Sequence, residues 1–333
     1  MGLNAVKMLG ISITTSSKKE ILEEVRKYLS QNVRTQNSMT KKGKNPLVIV
    51  TPNPEQIVYA QRDKHFREVL NQADVVLPDG VGVVWASRFL RTQNTELNDQ
   101  TIKKVIPGVE FMEDLVAMAA GRGYPIALIG GRGGVAVRTL ECLQRKHPAL
   151  RGWAEEGPEF QIKSTNLQIY KSTNVQDGLS QQHSNRAIEQ SDEEITDQYF
   201  VELAEKIRKT NTRIVFVGLG APKQEFFIER LALSLRDPAS WRGEAISQKT
   251  RSPRTKKLVQ FFSARDDKRI VFMSVGGSFD IISGRTPRAP RAMQAVHLEW
   301  LWRLIRQPWR FQRQLALLKF FWLVVRKKLA SKG

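Results

Sequence analysis

Short apolar runs alternate with amphipathic helical stretches along most of the chain. The runs are four to six residues long and mostly apolar, as strands buried on both faces of a parallel sheet are. They lie at residues 47–50, 73–77, 125–129, 213–217 and 270–275. The helical stretches repeat apolar residues at helical spacing, and they include 18–29, 111–119 and 200–207. Strands that alternate with helices predict an α/β fold with a mostly parallel sheet flanked by helices.

Polar turns follow the first two predicted strands, with TPNP at 51–54 and PDG at 78–80. Asn53 and Asp79 can each cap the helix that follows, and Pro54 and Gln56 would complete the first of these helix starts. In an open α/β sheet, however, ligands bind beyond the carboxyl ends of the strands. We therefore predict an active site in the crevice between the two turns.

Two later strands also end in polar turns, GLGAPKQE at 218–225 and GGSFD at 276–280. Pro222 suits a first helical position, so Lys223 and Gln224 would lie in a helical first turn. The free N–H groups and dipole of such a turn favour an anion such as phosphate. The alternative interpretation is that Gln224 and Glu225 are ordinary helix-start residues.

A glycine-rich turn, GRGGVA at 131–136, fits the G-x-G-x-x-A form of a dinucleotide-binding turn between a strand and a helix. Its expected acidic partner is matched only loosely, by Glu155 and Glu156. A nicotinamide or flavin enzyme would need this turn to be a true dinucleotide site. The alternative is that the glycines only let the helix and strand pack closely.

The charge of the chain indicates an anionic partner. The 333 residues carry a formal net charge of +20, which favours nucleic acid, an anionic membrane surface or phosphate-bearing substrates. From residue 281 onward there are twelve Lys or Arg and one acidic residue, Glu299, together with four of the seven tryptophans. A nucleic-acid-binding protein would explain the charge, but the sequence has no helix-turn-helix, zinc or RNA-recognition signature.

The basic, tryptophan-rich tail contains the apolar segment 315–325, which is too short to span a bilayer. Phe320, Phe321, Trp322 and Val324, with basic residues on either side, have the composition of a helix that lies in a lipid headgroup layer. The alternative is a basic helix packed on its own domain or on a partner. We predict an α/β catalytic domain at 1–284 and a basic amphipathic appendage at 285–333.

The remaining composition favours a reducing cytosolic compartment and no metal. Cys142 is the single cysteine, which excludes an internal disulfide and a multi-cysteine metal site. The four histidines are scattered, and no Asp-x-Asp pair is present to hold a divalent ion. Residues 1–13 show no secretory signal. Polar segments at about 163–198 and 241–257 show no sustained period, and we interpret both as surface insertions.

Six ordered segments of the chain resemble the signature of the WecG/TagA/CpsF glycosyltransferases. They are TPNP at 51–54, LPDGVGVV at 77–84, GLGAPKQE at 218–225, GGSFD at 276–280, RAP at 288–290 and LEW at 298–300. The resemblance covers about residues 47–313, and the two polar insertions fall between motifs.

This resemblance implies a Rossmann-like fold and an inverting, metal-independent transferase of glycosyltransferase family 26, which needs no cofactor. Such an enzyme moves an N-acetylmannosamine-type or related sugar from a UDP donor to a polyprenyl-diphosphate-linked acceptor. It works as a peripheral protein on the cytoplasmic face of the cell membrane, in cell-surface polymer synthesis. A homo-oligomer remains an option, and nucleic acid is not an expected partner. The alternative function is that of a basic nucleotide- or nucleic-acid-binding protein without transferase activity.

The resemblance also implies roles for single residues. The family's general base falls on Asp79. Its substrate contacts fall on Thr51, Asn53, Gln224, Arg303, Arg310 and Arg313. The three arginines belong to the tail, where they reach the donor diphosphate and help the tail to act as a lid over the active site. Lys104 stands where the family has a further arginine, and it keeps the charge but loses the bidentate geometry of a guanidinium group.

Overall fold

The computed structural model describes residues 2–31, 46–91, 101–158, 160–163, 166–169, 198–236, 269–290, 292–293, 299–306 and 311–330. The strands are β1 (Ala5–Met8), β2 (Ile11–Thr14), β3 (Leu47–Val50), β4 (Val75–Val76), β5 (Ile126–Gly130), β6 (Gly152–Glu155), β7 (Phe160–Lys163), β8 (Asn166–Ile169), β9 (Ile214–Gly218) and β10 (Val271–Ser274). The helices up to the middle of the chain are α1 (Lys18–Ser30), α2 (Pro54–Tyr59), α3 (Lys64–Gln72), α4 (Val81–Leu90), α5 (Gly108–Arg122) and α6 (Val135–Lys146). The later helices are α7, whose described part spans 198–209, α8 (Lys223–Arg236), α9 (Ser278–Ile282), α10 (Glu299–Arg306) and α11 (Phe311–Ala330).

The centre of the fold is a six-stranded sheet in the order β4-β3-β10-β9-β5-β6. Every neighbouring pair in it is parallel, and helices cover both faces. The predicted Rossmann-like α/β fold is therefore confirmed. The last strand of the sheet in sequence, β10, lies at its centre between β3 and β9.

The two faces of the sheet are buried in separate apolar clusters. Along β9, Val215 and Val217 enter the cluster formed with α2, α3, α7, α8 and α11, whereas Ile214 and Phe216 enter the cluster formed with α1, α5 and α6. Successive side chains of a strand point to opposite faces, so a strand covered on both faces needs apolar residues at every position. This requirement explains the uninterrupted apolar runs of the sequence.

An N-terminal hairpin was not predicted from the sequence. The strands β1 and β2 pair antiparallel, and Ile11 and Ile13 are fully buried. The hairpin is tied to the edge of the main sheet, because the backbone N–H of Val76 donates to Oγ1 of Thr14 at 3.1 Å. Strands of four residues with one exposed face give a weak pattern, which is why the sequence does not reveal them.

Part of the first polar segment, interpreted as a surface insertion at about 163–198, forms strands that its composition did not predict. The strands β7 and β8 form an antiparallel hairpin, and β8 lies inside that segment. The rest of this insertion up to residue 197, and all of 241–257, lie outside the described residues.

The C-terminal helix α11 packs against α2 and α4. Phe320 and Val324 are 3% and 0% exposed and belong to the core, so the expectation that both are part of a membrane anchor is wrong. Phe321 and Trp322 point the other way and are more than half exposed. Among the described helices, none combines the length and the apolar character needed to cross a bilayer.

The turn after β5 depends on one glycine. Gly130 has φ +124°, and a Cβ there would lie 2.5 Å from the carbonyl oxygen of Gly218 on β9. We expect Gly130→Ala to lower the free energy of unfolding by about 1–3 kcal/mol, because neither backbone can yield easily. Gly133→Ala is the control, since Gly133 also has a positive φ but nothing within 4 Å of the added Cβ. If urea denaturation gives the two variants equal losses in free energy of unfolding, the close approach of Gly130 to Gly218 does not explain the effect.

Candidate active site

The turns that carry the predicted site residues meet at the carboxyl edge of the sheet. The strand β3 lies between β4 and β10, so the turns after these three strands are neighbours. The backbone N–H of Leu77 donates to Val50 O at 2.8 Å, and Oγ1 of Thr51 donates to Ser274 O at 3.3 Å. These bonds connect the turns after β3, β4 and β10, as the predicted crevice requires.

Thr51 and Asn53 lie in the turn between β3 and α2. Thr51 is buried, and Gly108 at the start of α5 packs against it, since a Cβ on Gly108 would lie 3.2 Å from Cγ2 of Thr51. Asn53 is the N-cap of α2, and its side chain accepts a hydrogen bond from Gln56 N at 3.0 Å. The capping interpretation of Asn53 is therefore confirmed. Because the cap uses Oδ1, the amide nitrogen is the end of Asn53 suited to a ligand.

Asp79 lies in the turn between β4 and α4 and is half-buried. The N-cap of α4 is Gly80, with φ +95°, so Asp79 precedes the capping position, and the interpretation of Asp79 as the helix cap is wrong. The segment that carries Lys104 runs beside this turn, because Ile106 N donates to Pro78 O at 3.0 Å. Lys104 itself is exposed. The structure thus brings the segment of Lys104 next to the turn of Asp79.

Gln224 is fully buried in the first turn of α8 and connects two turns. Its Oε1 accepts from Gly276 N at 3.0 Å, and its Nε2 donates to Oε1 of Glu225 at 2.8 Å. Gln224 therefore holds the turn after β9 against the turn after β10. The sequence did not distinguish Glu225, although its helical spacing from the buried Ile228 is a signal that it faces inward.

The tail reaches the crevice through α11. Phe320 lies over the first turns of α2 and α4, because a Cβ on Gly82 would be 2.9 Å from Cγ of Pro54 and 3.7 Å from the Phe320 ring. Arg303 lies in α10 and Arg313 in the first turn of α11. Their side chains, and the whole of Arg310, lie outside the described residues.

The start of the predicted appendage is fixed to α5. Arg288 donates from Nη2 to Oε1 of Glu110 at 2.6 Å, and Ala289 is buried. Glu110 belongs to the first turn of α5, close to the contact between Gly108 and Thr51. The RAP motif at 288–290 thus anchors the chain beside the crevice before the tail continues.

Both acidic residues considered as partners of the glycine-rich turn after β5 interact with groups of the chain. Gly134 is the N-cap of α6, and its backbone N–H donates to Oε1 of Glu156 at 2.5 Å. Glu155 pairs with Lys206. A pyrophosphate at the start of α6 would meet the negative charge of Glu156, so the geometry disfavours the dinucleotide interpretation.

Comparisons with known proteins agree with the motifs. The sequence profile of the Glycosyl transferase WecG/TagA/CpsF family matches residues 6–246 and 253–333. A Bacillus spizizenii protein named N-acetylglucosaminyldiphosphoundecaprenol N-acetyl-beta-D-mannosaminyltransferase is 26% identical over 283 residues, which are 85% of this chain and 80% of the relative. A Bacillus subtilis protein of the same name is 26% identical over 285 residues, or 86% and 81%. With nearly its whole length matched, the chain belongs to the WecG/TagA/CpsF family of glycosyltransferases.

Proposed function

We propose that this glycosyltransferase moves an N-acetylmannosamine-type sugar from UDP to a polyprenyl-diphosphate-linked acceptor, with inversion and without a metal. The observation that carries the proposal is the convergence of the turns of Thr51, Asp79 and Gln224 at one edge of the sheet. The names of the Bacillus relatives support the sugar and the acceptor, since both describe transfer to N-acetylglucosaminyldiphosphoundecaprenol.

Asp79 is the proposed general base. In a single displacement, the carboxylate takes the proton of the acceptor hydroxyl while that oxygen attacks the anomeric carbon. The bond from the anomeric carbon to the diphosphate oxygen breaks at the same time, UDP leaves with its electron pair, and the configuration inverts. A half-buried aspartate at the carboxyl edge of the sheet can contact a bound acceptor.

Cations of the chain are proposed to stabilise the departing diphosphate. Lys104 is exposed in the segment beside the turn of Asp79. Arg303, Arg310 and Arg313 come from the tail, whose helix α11 covers the first turns of α2 and α4. Positive groups aimed at a developing negative charge lower the barrier without a bound ion. In this proposal, residues 285–333 act as the lid of a catalytic domain at 1–284.

A transfer assay tests the function directly. The substrates are a panel of UDP-sugars and a short-chain polyprenyl-diphosphate N-acetylglucosamine, and NMR of the product reports the anomeric configuration. We expect transfer from UDP-N-acetylmannosamine with inversion. Nucleic-acid binding without transfer from any UDP-sugar would favour the alternative of a basic binding protein, and retention of configuration would reject the single displacement.

Activity is expected to survive chelation. The sequence has no Asp-x-Asp pair to hold a divalent ion, and the proposed lysine and arginines take the role of the ion at the leaving group. The measurement compares initial rates with EDTA and with added magnesium or manganese. A rate that is lost in EDTA and returns with either ion would contradict this prediction.

The exposed face of α11 is proposed to contact the anionic inner surface of the cell membrane. Phe321 stacks on Trp85 of α4 with ring centroids 4.9 Å apart, and Trp85 stacks on Phe89 at 5.1 Å. These rings continue the exposed apolar surface of Leu318 and Trp322. Basic residues near the end of the helix add attraction to anionic lipid. A peripheral position would bring the crevice to its lipid-linked acceptor.

A further inference from the structure

Glu225 is a buried carboxyl group beneath the crevice. The residue is 1% exposed. Its Oε1 accepts from Nε2 of Gln224 at 2.8 Å, while its Oε2 is buried with no hydrogen-bond partner among the described residues. An ionised carboxylate with a bare oxygen in the protein interior is costly. The surroundings of Glu225 therefore favour the protonated, neutral form.

The groups around this carboxyl are neutral. They are the Gln224 amide, a backbone amide and the hydroxyl of Ser274, and no cation of the described chain contributes. Burial raises the pKa of Glu225 to about 7, against smaller opposing effects of these hydrogen-bonding groups. Small changes around neutral pH thus change the proton occupancy of a group in the middle of the fold.

The hydroxyl of Ser274 gives the second link of this cluster. Ser274 is completely buried, and its Oγ makes no well-formed hydrogen bond to the described residues, although the hydroxyl is near enough to act on the Glu225 carboxyl. A neutral Glu225 can donate its O–H to that oxygen, whereas a carboxylate would instead accept from the Ser274 hydroxyl, so the protonation state decides the direction of this hydrogen bond. A change in the protonation of Glu225 therefore changes the hydrogen bonding of Ser274, and only the protonated form leaves no charge in this buried cluster.

Both neighbours of Glu225 connect directly to the crevice. Gln224 accepts from Gly276 N at 3.0 Å, and the carbonyl oxygen of Ser274 accepts from Oγ1 of Thr51 at 3.3 Å. Thr51 and Gln224 are two of the proposed substrate contacts. A change in the hydrogen bonding of Glu225 thus reaches the crevice from two sides.

We propose that Glu225 is a proton-sensitive positioning residue, which in its neutral form holds Gln224 and Ser274 in the arrangement that binds the donor nucleotide. Ionisation draws the amide and the hydroxyl toward the carboxylate, and the contacts of Gly276 and Thr51 loosen. This inference rests on the proposed function of the crevice as a UDP site.

The first test measures protonation without any substrate. Infrared spectra in heavy water, taken from about pH 5 to about pH 9 across the usual and raised carboxyl range, compare wild type with Glu225→Gln. We expect a carbonyl band of a neutral carboxylic acid that is missing in Glu225→Gln and that disappears from wild type as the pH rises through about 7. Spectra without such a difference overturn the proposal.

Thermal stability gives a second readout that needs no substrate. The folded-state pKa is raised above the ordinary 4.5, so the contribution of Glu225 to stability is fully present below about pH 4.5 and is lost as the pH rises through about 7. Glu225→Gln cannot ionise. Its melting temperature should therefore rise relative to that of wild type as the pH increases across this range. A difference in melting temperature that does not change with pH would count against the proposal.

The decisive test follows UDP affinity against pH by calorimetry. The UDP affinity of wild type should fall by roughly tenfold above neutral pH, the change that one pKa unit of coupling gives. The UDP affinity of Glu225→Gln should stay nearly constant. Glu225→Ala should bind weakly at every pH. The control is Glu229→Gln on the same helix, because Glu229 pairs with His65 instead, at 3.3 Å, and this variant should keep the wild-type pH dependence.

The outcomes separate the two proposals. If wild type binds UDP but Glu225→Gln shows the same pH dependence, the positioning role is wrong and the proposed function stands. If wild type does not bind UDP at any pH, the proposed function fails, and the role of Glu225 in donor binding fails with it.

Discussion

Asp79→Asn is expected to lower turnover by about 10²-fold or more, while the fold and UDP affinity stay close to wild type. An amide cannot take the proton of the acceptor hydroxyl, and general base catalysis contributes factors of this order. The fold should tolerate the change because α4 is capped at Gly80 rather than at Asp79. The measurements are turnover of UDP-N-acetylmannosamine, UDP binding by calorimetry, and melting temperature.

Asp63→Asn is the matched control. Asp63 caps α3 by accepting from Phe66 N at 2.9 Å, and asparagine caps about as well as aspartate, so this variant should retain wild-type turnover. An asparagine that precedes a glycine deamidates readily, so intact mass must accompany the Asp79→Asn assay, and Asp79→Ala provides a second test. Near-wild-type turnover of both Asp79 variants would remove Asp79 from the mechanism.

Phe320→Ala is expected to lower the free energy of unfolding by about 3–5 kcal/mol, as deletions of buried aromatic side chains do. Phe320 is 3% exposed and fills the space over the first turns of α2 and α4. The next residue is the comparison, because Phe321 is 53% exposed. Phe321→Ala should lose only about 0.5–1.5 kcal/mol with its stacking on Trp85.

The same two variants separate packing from lipid contact. Phe321→Ala should bind anionic vesicles more weakly than wild type in flotation assays, since it removes an exposed apolar ring beside basic residues. Phe320→Ala should keep vesicle binding under conditions where it stays folded. Equal vesicle binding by wild type and Phe321→Ala would reject this face of α11 as the membrane contact. Equal free energies of unfolding for the two variants would contradict the burial of Phe320 against α2 and α4.

The central strands could be predicted from the sequence because their burial on both faces leaves no polar position. The strands β3 and β10 lie within the predicted runs, and β5 and β9 extend one residue beyond theirs, to Gly130 and Gly218. The hairpin of β1 and β2 and the edge strand β6 were missed, because a half-covered strand of four residues looks like many loop segments. Phe320 was misassigned for a different reason. The tail helix is apolar around much of its circumference, so only the packing of α2 and α4 decides which side is buried.

The turns of Thr51, Asn53, Asp79 and Gln224 could also be predicted, because each follows a recognisable strand and carries a family motif. Glu225 could not be predicted in the same way. Its environment depends on Ser274, which is distant in sequence and reaches Glu225 only because β10 inserts beside β9. A carboxyl at the start of a helix is common, and the helical spacing of Glu225 from Ile228 indicates an inward face without showing which groups cover the carboxyl.

The central position of β10 also fixes the order in which the sheet can be assembled during synthesis. The other strands of the sheet leave the ribosome first, and without β10 they form two separate parts. One part contains β3 and β4, and the other contains β5, β6 and β9. Each part then has an open edge facing the gap, and open strand edges pair readily with other chains. A nascent chain that stalls before Val271 is therefore exposed to aggregation, whereas a chain that has released Ser274 can close its own sheet.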